Sequence, residues 1–137
     1  MLSLKQRGVC LLVALLAATP LVLAAGLTPA AKGIATHTQL GLPPCGWMVS
    51  LGKPCMTCGM TTAFASAANG DFVRSLIAQP MGCVLAVLTA ATMIGCLHAA
   101  ATGWRIDRLL AAMVRPRVLW VFAGLFLAAW GYKLMVV

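Results

Sequence analysis

Three stretches of about 20 residues, at 8–27, 81–102 and 118–136, are almost free of charge, and they constrain what this 137-residue chain can fold into more than any other feature. The hydrocarbon core of a bilayer is about 30 Å thick, and a helix needs roughly 20 apolar residues to cross it. Inside lipid every backbone N–H and C=O must bond within its own segment, so each stretch reads as an α-helix. Composition points the same way: the chain is 62% hydrophobic and 9% charged, whereas soluble domains carry about 25% charged residues. The expectation is an all-α integral membrane protein: one membrane domain over 1–137, three transmembrane helices, and a short interfacial or re-entrant helix in the outward loop.

Orientation follows from the positive residues near the span ends. Lys5 and Arg7 precede the first span, while Arg105, Arg108, Arg115 and Arg117 lie between the second and third. Both groups are expected on the cytoplasmic side, with the basic loop at 103–117. The loop at 28–79 then faces outward, carrying the dispersed positives Lys32, Lys53 and Arg74, and the C-terminus follows it with Lys133. Trp104 and Trp120 flank the basic loop, and Trp130 and Tyr132 close the third span, as interfacial aromatic belts do. The setting implied is a bacterial inner membrane, with the N-terminus cytoplasmic and the C-terminus outward. Lys5, Arg7 and the small residues Ala24, Ala25 and Gly26 also fit a cleavable signal peptide. The apolar run is longer than a usual signal core, which favours retention as a membrane helix.

The second span carries Ala91, Gly95, Ala99 and Gly103 at every fourth position, and the third repeats the spacing with Gly124 and Ala128. Such faces let helix backbones approach closely. They are expected to pack within the chain, with a second copy or another membrane protein as the alternative partner.

The outward segment is broken by Gly41, Pro43, Pro44, Gly46, Gly52, Pro54 and Gly59 and reads as loop until about Thr57. From Met60 the run MTTAFASAA favours a short helix, stopped at Asn69-Gly70. Asp71 is placed to cap a further turn or two, FVRSLIAQ, and Pro80 to open the second span, where proline is tolerated. A helix so poor in polar residues is expected at the membrane interface or dipping into it. Broken backbone at membrane depth must pack on protein or line a polar cavity, which makes this segment the natural place for a pocket.

Six cysteines divide into two groups. Cys10, Cys83 and Cys96 lie within apolar spans and read as packing residues. Cys45, Cys55 and Cys58 lie outward, where an oxidising compartment favours disulfides. The two-residue gap between Cys55 and Cys58 suits a structural staple, a redox pair or a metal knuckle. Cys58 stands just before a helix start, where free N–H groups are expected to lower its pKa. Cys45 can resolve or replace either partner. As a metal set, Cys45, Cys55 and Cys58 with His37 offer soft ligands, and the thioethers of Met48, Met56 and Met60 would favour copper(I) over zinc. His98, about one turn from the cytoplasmic end of the second span, reads as a neutral side chain bonding a neighbour or reaching the interface.

Other classes of function find no support. The net charge of +8 with only two acidic residues, Asp71 and Asp107, reflects membrane topology and leaves little for acid–base chemistry. No phosphate-binding loop, carboxylate pair or Ser-His-Asp set is present, no cofactor is implied, and nucleic acid is not an expected partner.

The block Leu40-Gly41-Leu42-Pro43-Pro44-Cys45, followed by Gly52-Lys53-Pro54-Cys55-Met56-Thr57-Cys58-Gly59-Met60-Thr61-Thr62-Ala63, resembles a bacterial family of small membrane proteins, domain of unknown function 2752. Its pattern is a Cys in a Pro-rich turn followed by C-P-x-C-G-x-T, and Met56 stands here where that pattern has proline. Asn69-Gly70-Asp71 and Gln79-Pro80 resemble its later landmarks. The resemblance implies a multi-span helical membrane protein and no established activity. The supporting motif residues are Pro54, Gly59, Thr61, Thr62, Asn69, Gly70, Asp71 and Pro80. The expected role is an accessory subunit or binding module, not an enzyme, in which the Cys55–Cys58 block is structural or holds a ligand. The alternatives are a membrane thiol–disulfide oxidoreductase and a copper- or zinc-handling protein.

Overall fold

A computed structural model describes residues 2–105 and 111–136. Asp107 and Arg108 of the basic loop lie outside these. Among the described residues the protein is helical without strands. Helix α1 spans Leu4–Ala25. A 3₁₀ turn at Thr36–Leu40 and the helices α2 (Gly46–Leu51), α3 (Met60–Ala68) and α4 (Phe72–Ala78) follow. Helix α5 covers Pro80–Thr102 and α6 covers Pro116–Val136. Helices α1, α5 and α6 are long and apolar enough to cross a membrane, so the fold is that of a multi-pass membrane protein.

Local chemistry sets the boundaries. Ser3 and Gln6 form a reciprocal capping box at the start of α1, with bonds of 3.3 and 2.9 Å. Helix α3 stops at Asn69, whose amide donates to the Ala65 carbonyl at 2.8 Å. Asp71 caps α4 by accepting the Arg74 N–H at 2.9 Å. Pro80 is the first residue of α5, where its missing N–H costs nothing. The segment before Thr57 is less irregular than its glycines and prolines imply. It holds the 3₁₀ turn and α2, because Pro43-Pro44 and Gly52 bracket a run that still closes helical bonds, such as Val49 N–H to Cys45 O at 3.1 Å.

Helices α1 and α5 run side by side through the cluster Leu2, Cys10, Ala14, Cys96 and Ala99. The N-terminal end of α1 meets the C-terminal end of α5, where the Leu2 N–H donates to Gly103 O at 3.0 Å and the Arg7 guanidinium covers Gly103. Lys5, Arg7 and Arg105 therefore share one end of the bundle. At the opposite end α3 is packed among α1, α4 and α5, with Thr62, Ala63, Ala65 and Ser66 buried. It is a short helix enclosed by its neighbours.

Small apolar residues such as Ala14, Ala63, Ala65 and Ala99 fill much of the interior, but the largest fully buried side chains are Lys133, Gln79, Thr36, Thr62, Cys96, Ser66 and Ser75, while Leu12, Leu16, Ile94, Trp120 and Val121 are more than half exposed. Lipid offers polar groups no partners, so those that pair do so inside the bundle. Thr36 and Thr62 share a hydroxyl hydrogen bond of 2.7 Å, and Ser75 donates to the Ala63 carbonyl at 2.7 Å.

The small-residue face expected on the second span divides. Ala99 and Gly103 are buried against α1 and Arg7, but Ala91 is exposed and a Cβ on Gly95 would meet nothing within 4 Å. The close approach occurs instead at Gly82, where a Cβ would stand 2.7 Å from Ala63 Cβ and 3.1 Å from Met60 Sδ. Gly124 in α6 likewise faces open space. Of α6, only Ala129 and Lys133 are buried. His98 is exposed and makes an edge contact with Trp104, with ring centroids 6.0 Å apart, in keeping with an interfacial histidine.

Candidate functional site

The segment between α1 and α5 folds around a cavity of about 420 Å³ whose lining includes His37, Cys45, Cys55, Cys58, Gly59 and Thr61. Four residues singled out for metal or redox chemistry, Cys45, Cys55, Cys58 and His37, thus border one space. Each arrives by a different local device. Cys45 is the N-cap of α2, reached through the Pro43-Pro44 turn. Cys55 and Cys58 lie on a tight turn closed by Cys58 N–H to Cys55 O at 3.0 Å. His37 sits on the 3₁₀ turn, with Nε2 3.2 Å from the Pro43 carbonyl.

Among the described residues all six cysteines are free thiols. No three His, Cys, Asp or Glu side chains among them converge closely enough to hold a metal ion. His37 shares the cavity without joining the thiols as a ligand set. Cys55 Sγ contacts the Thr57 hydroxyl at 3.4 Å, and Cys45 borders the same cavity.

The three thiols differ in electrostatics. Cys45 is drawn below the ordinary thiol range, first by the Met48 backbone N–H at the start of α2 and then by the Cys55 side chain. Cys58 is pushed up, first by burial and then by the neighbouring Cys55 and Cys45, while the positive charge of Lys133 pulls the other way. The sequence-based expectation of a lowered Cys58 pKa therefore passes to Cys45. Cys58 is only 7% exposed, and its N–H is spent on Cys55 O, so desolvation outweighs the helix start behind it.

Gly59 is the pivot. Its φ of +88° lies in the left-handed region, and a Cβ there would stand 2.8 Å from both the Ala78 and Gly33 carbonyl oxygens and 3.2 Å from Lys133 Nζ. Lys133 reaches this point from α6, 2% exposed, donating to Ala78 O at 2.8 Å and Gly33 O at 3.3 Å. Two neighbours help hold the end of α6: Trp130 Nε1 donates to Pro54 O at 3.2 Å and its ring meets Trp47 edge-on, while the Tyr132 hydroxyl donates to Ile77 O at 3.3 Å. Charge counting placed Lys133 with the outward positives. The signal missed was a lone ionisable residue inside an apolar span, which is seldom there without a partner.

Residues 45–93 match the model of the family described as protein of unknown function (DUF2752). The similarity covers this segment alone. No curated protein and no solved structure matches the chain. The DUF2752 segment begins at the first pocket cysteine and runs through α3 and α4 into α5, so it contains the three thiols and Gly59. Lys133, Trp130 and His37 lie outside it. Replacing Trp130 by phenylalanine keeps the ring against Trp47 and deletes the bond to Pro54 O. It should lower stability by about 1 kcal/mol in a detergent thermal melt.

Proposed function

We propose that the pocket is a thiol–disulfide exchange site on the outward face of a bacterial inner-membrane protein, with Cys45 the attacking thiolate and Cys55 its resolving partner. The observation that carries this reading is that Cys45 and Cys55 line one cavity, where the Met48 N–H and then the Cys55 side chain favour negative charge on the Cys45 sulfur. Exchange proceeds by attack of Cys45 on a disulfide of an exported polypeptide or small thiol, giving a mixed disulfide that Cys55 displaces. The Cys45–Cys55 bond forms and the substrate leaves with both its sulfurs reduced. The reverse sequence oxidises a substrate dithiol. This reading takes the thiol–disulfide alternative ahead of the accessory role. The orientation proposed with it puts Lys5, Arg7, Arg115 and Arg117 in the cytoplasm.

Single-cysteine variants keeping Cys45 or Cys58 test both points. A membrane-impermeant maleimide should label Cys45 in intact cells and leave an Arg117→Cys probe unlabelled until the cells are permeabilised. In detergent, Cys45 should react at lower pH than Cys58, because only the thiolate attacks and Cys45 is the more acidic thiol. Labelling of Cys58 at the lower pH, or of the Arg117→Cys probe first, rejects the corresponding assignment.

A further inference from the structure

The mechanism above uses two of three thiols and leaves a buried lysine unexplained. Cys58 borders the same cavity as Cys45 and Cys55, one tight turn beyond Cys55, and is the most enclosed of the three. Lys133 Nζ is fixed by two backbone carbonyls against Gly59, the residue that follows Cys58. A buried ammonium is costly to hold without a function or an anion. The Cys58 sulfur lies within electrostatic reach of that ammonium.

We propose that Cys58 is the inner member of a three-thiol relay, taking the disulfide from Cys45–Cys55 onto Cys55–Cys58, and that Lys133 is the positioning residue that holds the attacking Cys58 thiolate. The proposal rests on the exchange reading of Cys45 and Cys55. In the step, the Cys58 thiol releases its proton to water in the open cavity, and its sulfur attacks Cys55 Sγ. The Cys55–Cys58 bond forms, the Cys45–Cys55 bond breaks, and the electron pair of the broken bond stays on Cys45. One disulfide is present before and after, so no further oxidant enters. Cys45 leaves as the thiolate that the Met48 N–H stabilises, and it is free for another exchange while the inner bond is shielded beside α6.

The test uses full-length protein in detergent, oxidised with one equivalent of glutathione disulfide, quenched with acid and N-ethylmaleimide at intervals, and mapped by peptide mass spectrometry. In the wild type, Cys45–Cys55 should appear first and convert to Cys55–Cys58 with Cys45 alkylated. Cys58→Ser should stop at Cys45–Cys55. Lys133→Met should slow the conversion by roughly tenfold, and Lys133→Arg, which keeps the charge, should restore it. Wild-type protein that remains Cys45–Cys55 overturns the relay and leaves the exchange pair standing. A Cys58→Ser variant that forms no Cys45–Cys55 bond overturns the pair itself. Equal conversion rates in Lys133→Met and wild type remove Lys133 from the step. The Cys58→Ser and wild-type arms decide the relay even where Lys133→Met does not fold.

Discussion

Gly59→Val is expected to abolish recovery of folded protein. A β-branched residue in the left-handed region costs about 1–2 kcal/mol, and the added carbons meet two carbonyl oxygens and the Lys133 amine, all of them already committed to one another. Overpacking of this kind costs about 1–3 kcal/mol. The sum is on the order of 3 kcal/mol, a large share of the 5–15 kcal/mol that typically stabilises a domain. Gly52→Val is the control: its φ of +62° imposes the backbone cost, but nothing lies within 4 Å of its Cβ position. The measurement is the monodisperse peak in size-exclusion chromatography after mild detergent extraction. Equal recovery of the two variants would mean that the junction of Gly33, Ala78 and Lys133 can open to admit a side chain.

Gly82→Leu is expected to be nearly as damaging, and Gly95→Leu to be tolerated. Both glycines lie on α5, and sequence alone does not distinguish them as sites of a close helix contact. Only Gly82 does, with Ala63 and Met60 of α3 inside van der Waals distance of a Cβ, whereas Gly95 faces open space. A leucine at 82 would push α3 off α5 and displace Met60, which lines the thiol cavity. A loss of about 1–3 kcal/mol follows from overpacking alone, read as a lower midpoint in a detergent thermal melt. Loss of the Gly95→Leu variant instead would relocate the helix contact to the face that the four-residue spacing suggests.

The thiol cavity was legible in part. Gly59 was readable as a break between a cysteine and a helix start, and the structure gives it a positive φ and a close backbone approach together. Met60 as the first residue of α3, Asp71 as the cap of α4 and Pro80 as the opening of α5 were equally readable, because capping depends on residues within one turn. The position of Cys45 was not. Sequence spacing pairs Cys55 with Cys58, three positions away, but the turn that links them spends the Cys58 N–H and buries its sulfur, while α2 brings Cys45 to the same cavity from ten positions earlier.

The sequence by itself determined the number and extent of the apolar spans, because crossing lipid requires unbroken runs of intrahelical bonding, and run length is written in one dimension. It also determined the local stops and starts. Only the tertiary structure decided that α3 would be enclosed, that Gly82 and not Gly95 would carry the helix contact, and that Lys133 would reach across 100 positions to Gly33 O. Apolar composition is nearly the same on every face of these helices, so it cannot say which face turns inward. For α6 that choice is made by Lys133, and for the shorter elements by Thr36, Thr62 and Ser75, whose partners lie on other elements and which lipid cannot satisfy.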